Sequence, residues 1–171
     1  VINGSNNSAS GNFALVGGGS NNTASGSYSI VGNGSINIAS GNHSVIVGGF
    51  CNNATSGFAT VSGGRRNTAS SDYSVVSGGC CNTASGYSAT VSGGRRNATA
   101  AVCSTISGGY LNNISAVGSY SAIGGGYNNC ITSSCNVIAG GHSNVSSGAR
   151  SVVGGGTVNT ASANTATVSG G

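Results

Sequence analysis

The sequence has almost no charge and few large side chains. Its 171 residues include one acid, Asp72, five Arg and no Lys, with no Pro, Met or Trp and only three Phe and six Tyr as aromatic residues. This composition argues against a globular core built from large apolar side chains. A nucleophile–base–acid arrangement is also missing, because the two His, His43 and His142, are far apart and one acid serves the whole chain. We therefore expect no enzyme activity.

The same scarcity limits the partners. A net charge of +4 without Lys is too sparse for a nucleic-acid-binding surface. No apolar run approaches the ~20 residues of a membrane helix, and no charged-then-apolar leader is present. Neither a Cys-x-x-Cys motif nor paired His spacing suggests zinc. We expect no cofactor, no nucleic acid and no membrane insertion of this segment.

Glycine, by contrast, is abundant at 33 residues and recurs with a fixed period. Gly-Gly pairs recur with a constant 15-residue step between Gly18-Gly19 and Gly108-Gly109, with Asn33-Gly34 in the same register. One longer step leads from Gly108 to Gly125, after which the original step resumes and reaches Gly170-Gly171. β-branched residues repeat in phase, which a disordered linker does not need. The period predicts a β-solenoid of about eleven coils, each with two short strands and two tight corners.

Three positions of the repeat predict a narrow lumen, counting the Gly-Gly pair as positions one and two. Position fourteen is Val or Ile in every copy, position twelve on the same face is mostly Ala or Ser, and position seven of the other strand is mostly Ala. Stacked coils should align position fourteen as an aliphatic ladder. Its members are Val1, Val16, Val31, Ile46, Val61, Val76, Val91, Ile106, Ile123, Ile138, Val153 and Val168.

Position five is Asn in all eleven complete units, which indicates a backbone role. Asn tolerates left-handed backbone angles and can bond its own turn through the side-chain amide, while the Gly pair permits a positive φ. We expect Asn at one corner and the Gly pair at the other. The corner residues are Asn7, Asn22, Asn37, Asn52, Asn67, Asn82, Asn97, Asn112, Asn129, Asn144 and Asn159.

The two strands differ in what they present outside. Positions six and eight of the first strand are mostly polar, whereas positions eleven and thirteen of the second strand are apolar in many copies. A strand that is apolar on both faces must also bury its outer face, and packing against other copies of the chain is the simplest way to do so. The expected interface residues are Phe13, Leu15, Tyr28, Ile30, Val45, Phe58, Tyr73, Val75, Val137 and Val152.

The unit Gly-Gly-x-x-Asn-x-Ala-Ser-Gly-x-Tyr-Ser-x-Val-Ser-Gly-Gly, seen from Gly18 to Gly34 and around Gly78 to Gly94, resembles the head repeats of trimeric autotransporter adhesins. Related repeats occur in phage and large-virus surface fibres. The resemblance covers essentially the whole chain. It implies a left-handed parallel β-roll, three chains associated in parallel with the apolar strand toward the threefold axis, and an adhesive structural role on a cell or virion surface.

This chain departs from the family pattern in two respects. The family's commonest repeat is shorter by a single residue and has one corner Gly, and neither a stalk coiled coil nor a membrane anchor is recognisable here, so the mode of attachment stays open. Residues 1–171 read as a single repeat domain that begins and ends at nearly the same phase. We therefore expect a segment of a longer extracellular fibre.

An alternative function follows from the half-unit x-x-Asn-Thr-Ala-Ser-Gly, which is similar to the repeat of grass ice-binding β-rolls. Rows of hydroxyl side chains at positions six and eight, such as Thr68 and Ser70 above Thr83 and Ser85, would form the ice-binding face. Apolar residues interrupt these rows, for example Ile38. A monomeric ice-binding protein would also leave the apolar strand exposed to water.

Arg and Cys are the remaining distinctive side chains. Arg65, Arg66, Arg95 and Arg96 occupy one corner two coils apart, with Cys80-Cys81 between them. In a trimer these Arg would form a belt suited to sulfated or phosphorylated host-surface glycans, or they are simply solvated corner residues. Asp72, one strand away, is available to pair with an Arg.

Disulfides within the chain are not expected between cysteines that share a phase. Cys51 and Cys81 lie two coils apart, as do Cys103 and Cys135, and two steps of ~4.8 Å exceed the ~7 Å limit between Cα atoms. We therefore interpret the cysteines as small side chains that pack in the wall of the solenoid. Alternatively, Cys103 or Cys135 meets its copies at the threefold axis and crosslinks chains.

Overall fold

The computed structural model describes residues 4–171 as an all-β parallel solenoid of eleven coils. The described part of the chain contains no helix. Val1, which the sequence assigned to the lumen ladder, lies outside the described residues. The repeat period read from the sequence is confirmed, because each strand pairs with the strand one period further on, as Val76 does with Val91.

Each coil contributes two strands of two residues, one to each of two sheets. The first strands, at positions six and seven, are β1 (Ser8–Ala9), β3 (Thr23–Ala24), β5 (Ile38–Ala39), β7 (Asn53–Ala54), β9 (Thr68–Ala69), β11 (Thr83–Ala84), β13 (Ala98–Thr99), β15 (Asn113–Ile114), β17 (Cys130–Ile131), β19 (Val145–Ser146) and β21 (Thr160–Ala161). The second strands, at positions thirteen and fourteen, are β2 (Leu15–Val16), β4 (Ile30–Val31), β6 (Val45–Ile46), β8 (Thr60–Val61), β10 (Val75–Val76), β12 (Thr90–Val91), β14 (Thr105–Ile106), β16 (Ala122–Ile123), β18 (Val137–Ile138), β20 (Val152–Val153) and β22 (Thr167–Val168).

Every strand bonds to the equivalent strand of the neighbouring coils, so each sheet has 11 parallel strands. A third line of pairing runs along position three, where bridges link Arg65 to Cys80 and Cys80 to Arg95. Neighbouring strands in a sheet lie ~4.8 Å apart, so eleven coils extend over about 50 Å.

The core is a thin column between the two sheets. Position fourteen supplies its largest side chains, and Ala at position seven faces them across the lumen. The ladder from Val16 to Val153 is completely buried, and Val168 in the last coil is partly buried. Two coils replace the small residue at position seven with Ile114 and Ile131, which are also fully buried. Stacking neighbours therefore bury what one coil cannot bury alone.

The corners differ from the expectation drawn from the sequence. The Asn at position five does not have a positive φ; the residue before it does, for example Arg66 at 55° and Ile36 at 58°. The Gly pair and this Asn belong to the same corner, between the second strand of one coil and the first strand of the next. The other corner holds a left-handed residue at position eleven, such as Tyr73 at 58°. Position eleven is therefore a corner position and not part of the strand.

The Asn of position five form a buried hydrogen-bonded ladder along this first corner. Asn67 Nδ2 donates to the Gly63 carbonyl of its own turn at 2.8 Å and to the Gly79 carbonyl of the next coil at 3.0 Å. Its Oδ1 accepts the backbone N–H of Asn82 at 3.0 Å. The expected bond to its own turn is thus present, and the same amide also ties each coil to the next. Asn at this position therefore gives hydrogen-bond partners to backbone groups of its own coil and of the next coil, and it shares the Gly79 carbonyl with the N–H of Arg65.

The one longer coil accommodates its two extra residues in the second corner. β15 and β16 keep their pairing with the neighbouring coils, and Ile123 stays buried. Between them Val117 projects with 66% of its surface exposed, and Gly118 N–H donates to the Ser115 carbonyl at 2.8 Å. The corner therefore absorbs the insertion, and the core continues past it.

Candidate functional site

The most distinctive polar surface lies on the corner that contains positions three and four. Arg65, Cys80 and Arg95 follow one another in the bridge line of position three. Arg66, Cys81 and Arg96 are the next residues and occupy position four, where each has a positive φ. All four Arg are exposed and both Cys are partly exposed. The structure therefore brings together the Arg and Cys residues that the sequence placed on one corner.

An aromatic stack continues this corner toward the C-terminal coils. The Arg95 guanidinium lies 5.5 Å from the centre of the Tyr110 ring, and Arg96 Nη1 donates to Tyr110 Oη at 3.4 Å. Tyr110 stacks on Tyr127 at 5.4 Å, and Tyr127 stacks on His142 at 4.9 Å. This stack was not predicted from the sequence, although aromatic residues recur at position three in Tyr110, Tyr127 and His142.

The single acid does not neutralise the Arg. Asp72 is at position ten, in the other corner, where its Oδ1 accepts the backbone N–H of Gly57 at 2.9 Å. Asn42 and Asn164 hold the same position and make the same bond to the preceding coil. Asp72 therefore serves as a turn residue, and the pairing with Arg considered from the sequence does not form.

The adjacent thiols of Cys80 and Cys81 interact directly. Their sulfur atoms are 3.0 Å apart. The hydrogen bond with Cys81 lowers the pKa of Cys80, and a hydrogen bond with Arg65 and the charges of Arg65 and Arg95 lower it further. The same bond raises the pKa of Cys81, as does its partial burial. Of the two thiols, Cys80 is therefore the one whose pKa is lowered, which favours its thiolate.

All six cysteines are free thiols in the structure. Cys103 and Cys135 are exposed at position eleven, and Cys51 and Cys130 are partly exposed. The register separates Cys103 from Cys135 by the coil that contains Tyr120, as the sequence predicted. Neither is therefore part of an intrachain pair.

A second distinctive surface is the aromatic column of position eleven. Phe13, Tyr28, His43, Phe58 and Tyr73 stack in successive coils with ring centres 4.9 to 5.0 Å apart. The first ring is 79% exposed and the last 48%. The rings cover each other's faces and present their edges to solvent, so the column is a continuous ridge.

The aliphatic row of position thirteen runs beside this column in the second sheet. Leu15, Ile30, Val137 and Val152 are exposed, and Val45 and Val75 are partly exposed. All of the interface residues named from the sequence therefore have outward-facing side chains. Thr60 interrupts this row once before Val75, and Thr replaces the aliphatic residue in several later coils, so the apolar surface is densest from Phe13 to Val75.

The column ends where the repeat shifts its aromatic residue. Tyr87 stands at position ten, one residue early, and meets the Tyr73 ring edge-on at 5.6 Å. Ser88 then occupies position eleven. The sequence predicted aromatic residues on a strand, and a column of corner rings was not foreseen.

The outer face of the first sheet is polar but uneven. Thr68 and Thr83 are neighbours in register at position six, and Ser70 and Ser85 are at position eight. Ile38 interrupts the same line with 39% of its surface exposed. A uniform array of hydroxyl groups is therefore limited to a few coils.

Comparisons with known proteins add no assignment. No protein-family model matches the chain, and no curated protein is significantly similar to it. Residues 4–171 contain no helix able to span a membrane and no group of three or more His, Cys, Asp or Glu placed to hold a metal ion. The candidate functions consequently depend on the corner and ridge geometry described above.

Proposed function

We propose that the chain is a rigid structural and adhesive segment of an extracellular or virion-surface fibre, and that it associates as a parallel homotrimer. The observation that supports this most directly is the ridge formed by the aromatic column of position eleven and the aliphatic row of position thirteen. The role is structural, without a catalytic step.

Burial of this ridge would stabilise an assembly. Five stacked rings and the adjoining aliphatic row form one apolar strip along neighbouring coils. Contiguous exposed apolar surface of this kind usually marks a protein interface, because its removal from water contributes about 25 cal/mol per Å². The strip contains no Arg, Lys, Asp or Glu between Phe13 and Val75.

A parallel arrangement suits the repeat. Three copies related by an axis parallel to the rod place the same coil of each chain at one level, so that like residues meet in layers. The resemblance to adhesin head repeats supports the same arrangement. Each layer then adds a small contact, and the eleven coils together supply the interface.

A charge placed in the ridge is expected to dissociate the trimer. Ile30 is 37% exposed in one chain, so Ile30→Asp leaves the fold intact but brings three carboxylates together in the assembly. We expect sedimentation equilibrium to give about three times the 16.1 kDa chain mass for the unaltered protein and 16.1 kDa for the variant.

The matched control is Ser25→Asp in the same coil. Ser25 is exposed beside the first sheet, so this change should leave the trimer mass unaltered. A 16.1 kDa mass for the unaltered protein would contradict the trimer. Thermal hysteresis by such a monomer would favour the ice-binding alternative, for which the register of Thr68 with Thr83 is the specific support.

The Arg corner is the second part of the proposal. It lies on the corner opposite the aromatic column, so it stays open to solvent when the ridge is covered. Four Arg per chain, repeated in three chains, would bind sulfated or phosphorylated glycans through many weak contacts. Affinity would then depend on the assembly more than on any single pocket.

Removal of the four Arg should abolish glycan binding. We expect the unaltered protein to be retained on immobilised heparin, and elution by salt should reflect screening of charge pairs. The variant with Gln at positions 65, 66, 95 and 96 should pass through. Arg150→Gln, in the other corner, is the control and should be retained. Equal retention of the two variants would contradict a glycan site at this corner.

A further inference from the structure

Cys80 and Cys81 form a polarised thiol pair that the fibre function does not require. Position three accepts Ser, Phe, Tyr, His and Thr in other coils, and position four accepts Asn, Ile, Leu and Val. Packing at this corner therefore does not select cysteine. The two sulfur atoms nevertheless lie 3.0 Å apart at a partly exposed site.

The pair lies between two layers of positive charge. Arg65 precedes Cys80 in the bridge line and Arg95 follows it. Cys81 N–H donates to the Arg65 carbonyl at 2.9 Å, and Arg96 N–H donates to the Cys80 carbonyl at 2.9 Å. These backbone bonds fix the coils in register, so Arg65 and Arg95 occupy the equivalent position in the coils on either side of Cys80. The charged groups that act on the two thiols are Arg65, Arg66 and Arg95, and Arg96 follows Cys81 at position four of the next coil.

The electrostatic consequence has a clear direction. The hydrogen bond from Cys81 and the contact with Arg65 lower the pKa of Cys80, so Cys80 holds more thiolate near neutral pH than a thiol at its ordinary pKa. The thiolate is the nucleophile in thiol–disulfide exchange. The same Arg also attract an anionic reagent.

We propose that Cys80 is a modification site that undergoes thiol–disulfide exchange with low-molecular-weight disulfides carrying carboxylates. The Cys80 thiolate attacks one sulfur of the disulfide. A new S–S bond forms at Cys80, the S–S bond of the reagent breaks, and its electron pair leaves on the released thiolate. The disulfide is the oxidant, and Cys80 is oxidised to a mixed disulfide.

Cys103 provides an internal reference. It is exposed, whereas Cys80 is only partly exposed, so access alone would make Cys103 react faster. Its neighbours at position eleven are Ser88 and Tyr120, neither of which is an Arg or a second thiol. A faster reaction at Cys80 would therefore report the Arg and the adjacent thiol.

The test compares two variants in stopped-flow absorbance measurements. One retains Cys80 and Cys81 with the other four cysteines changed to Ser, and the second retains Cys103 alone. The probes are the dianionic aromatic disulfide of thionitrobenzoate and the neutral dithiodipyridine. We expect the pair to react at least about tenfold faster than Cys103 with the anionic probe, and the ratio to be smaller with the neutral probe.

Two further changes identify the groups responsible. Cys80→Ser should remove the fast phase, and Arg65→Gln with Arg95→Gln should slow the anionic probe about tenfold while the neutral probe changes less. Higher ionic strength should slow only the anionic reaction. Because the pKa of Cys80 is lowered, its rate should fall less between about pH 8 and about pH 6 than that of a thiol at its ordinary pKa.

Several outcomes would overturn the proposal. They are a rate at the pair no greater than at Cys103, a fast phase that survives Cys80→Ser, or an anionic preference that the Arg substitutions leave unchanged. These substitutions are at an exposed corner, and the circular dichroism spectrum should match that of the unaltered protein. The result does not depend on the trimer or on glycan binding.

Discussion

Gly79→Ala is expected to destabilise the solenoid by about 2–5 kcal/mol, whereas Gly78→Ala, one residue earlier, should change stability by less than about 1 kcal/mol. Gly79 has a φ of 83°, and a Cβ there would lie 2.1 Å from the Gly94 carbonyl oxygen and 2.6 Å from Asn82 Nδ2. The backbone oxygen cannot move away without separating two coils. The strained backbone and the clash therefore both lower the stability of the Gly79→Ala variant.

Gly78 is the matched control in the same Gly-Gly pair. Nothing lies within 4 Å of a Cβ built there, and Asn33 occupies the equivalent position in another coil. Urea unfolding followed by circular dichroism measures both variants. Because each coil contacts only its neighbours, Gly79→Ala should also make the transition less cooperative. Equal midpoints for the two variants would contradict the steric argument.

The period, the two strands and the lumen could be predicted because they depend on which residues recur and how far apart they are. Stacked equivalent positions must lie above one another, so a recurring Val or Ile at position fourteen can only form a ladder. Side-chain alternation then places position thirteen outside, as with Ile30 next to Val31. These features follow from period and strand geometry alone.

The corners could not be predicted from residue preferences. Left-handed backbone angles are rare for β-branched residues, yet Ile36, Val158 and Thr165 have φ values of 58°, 58° and 59°. Inter-coil hydrogen bonds, such as Ile36 N–H to the Ser20 carbonyl at 3.0 Å, hold these residues in place. The repeat therefore determines the backbone, and the individual residue conforms to it. This explains why Asn was assigned the wrong backbone angle but the correct side-chain bond.

The candidate sites were only partly readable from sequence. The Arg corner could be predicted from the repeat, since Arg65 and Arg95 have the same repeat position two coils apart, with Cys80 between them. The 3.0 Å approach of the two thiols depends on side-chain placement and could not be read from spacing. The aromatic column was not predicted as a stack of corner rings, because position eleven was assigned to the second strand.

Asn112→Ala is expected to cost about 2 kcal/mol, because the Gly108 carbonyl and the Asn129 N–H would lose their partner, while the Gly126 carbonyl would keep the N–H of Tyr110. Asn112 Nδ2 donates to the Gly108 carbonyl at 3.0 Å and the Gly126 carbonyl at 2.9 Å, and Oδ1 accepts the N–H of Asn129 at 2.9 Å. Asn113→Ala is the control, since Asn113 is exposed on the first sheet and its loss should change stability by less than about 0.5 kcal/mol. Urea unfolding of the two neighbouring variants separates the ladder bond from the general effect of replacing Asn by Ala. Similar losses in both would mean that the ladder contributes little and that the coils are held by the sheets and the aliphatic core.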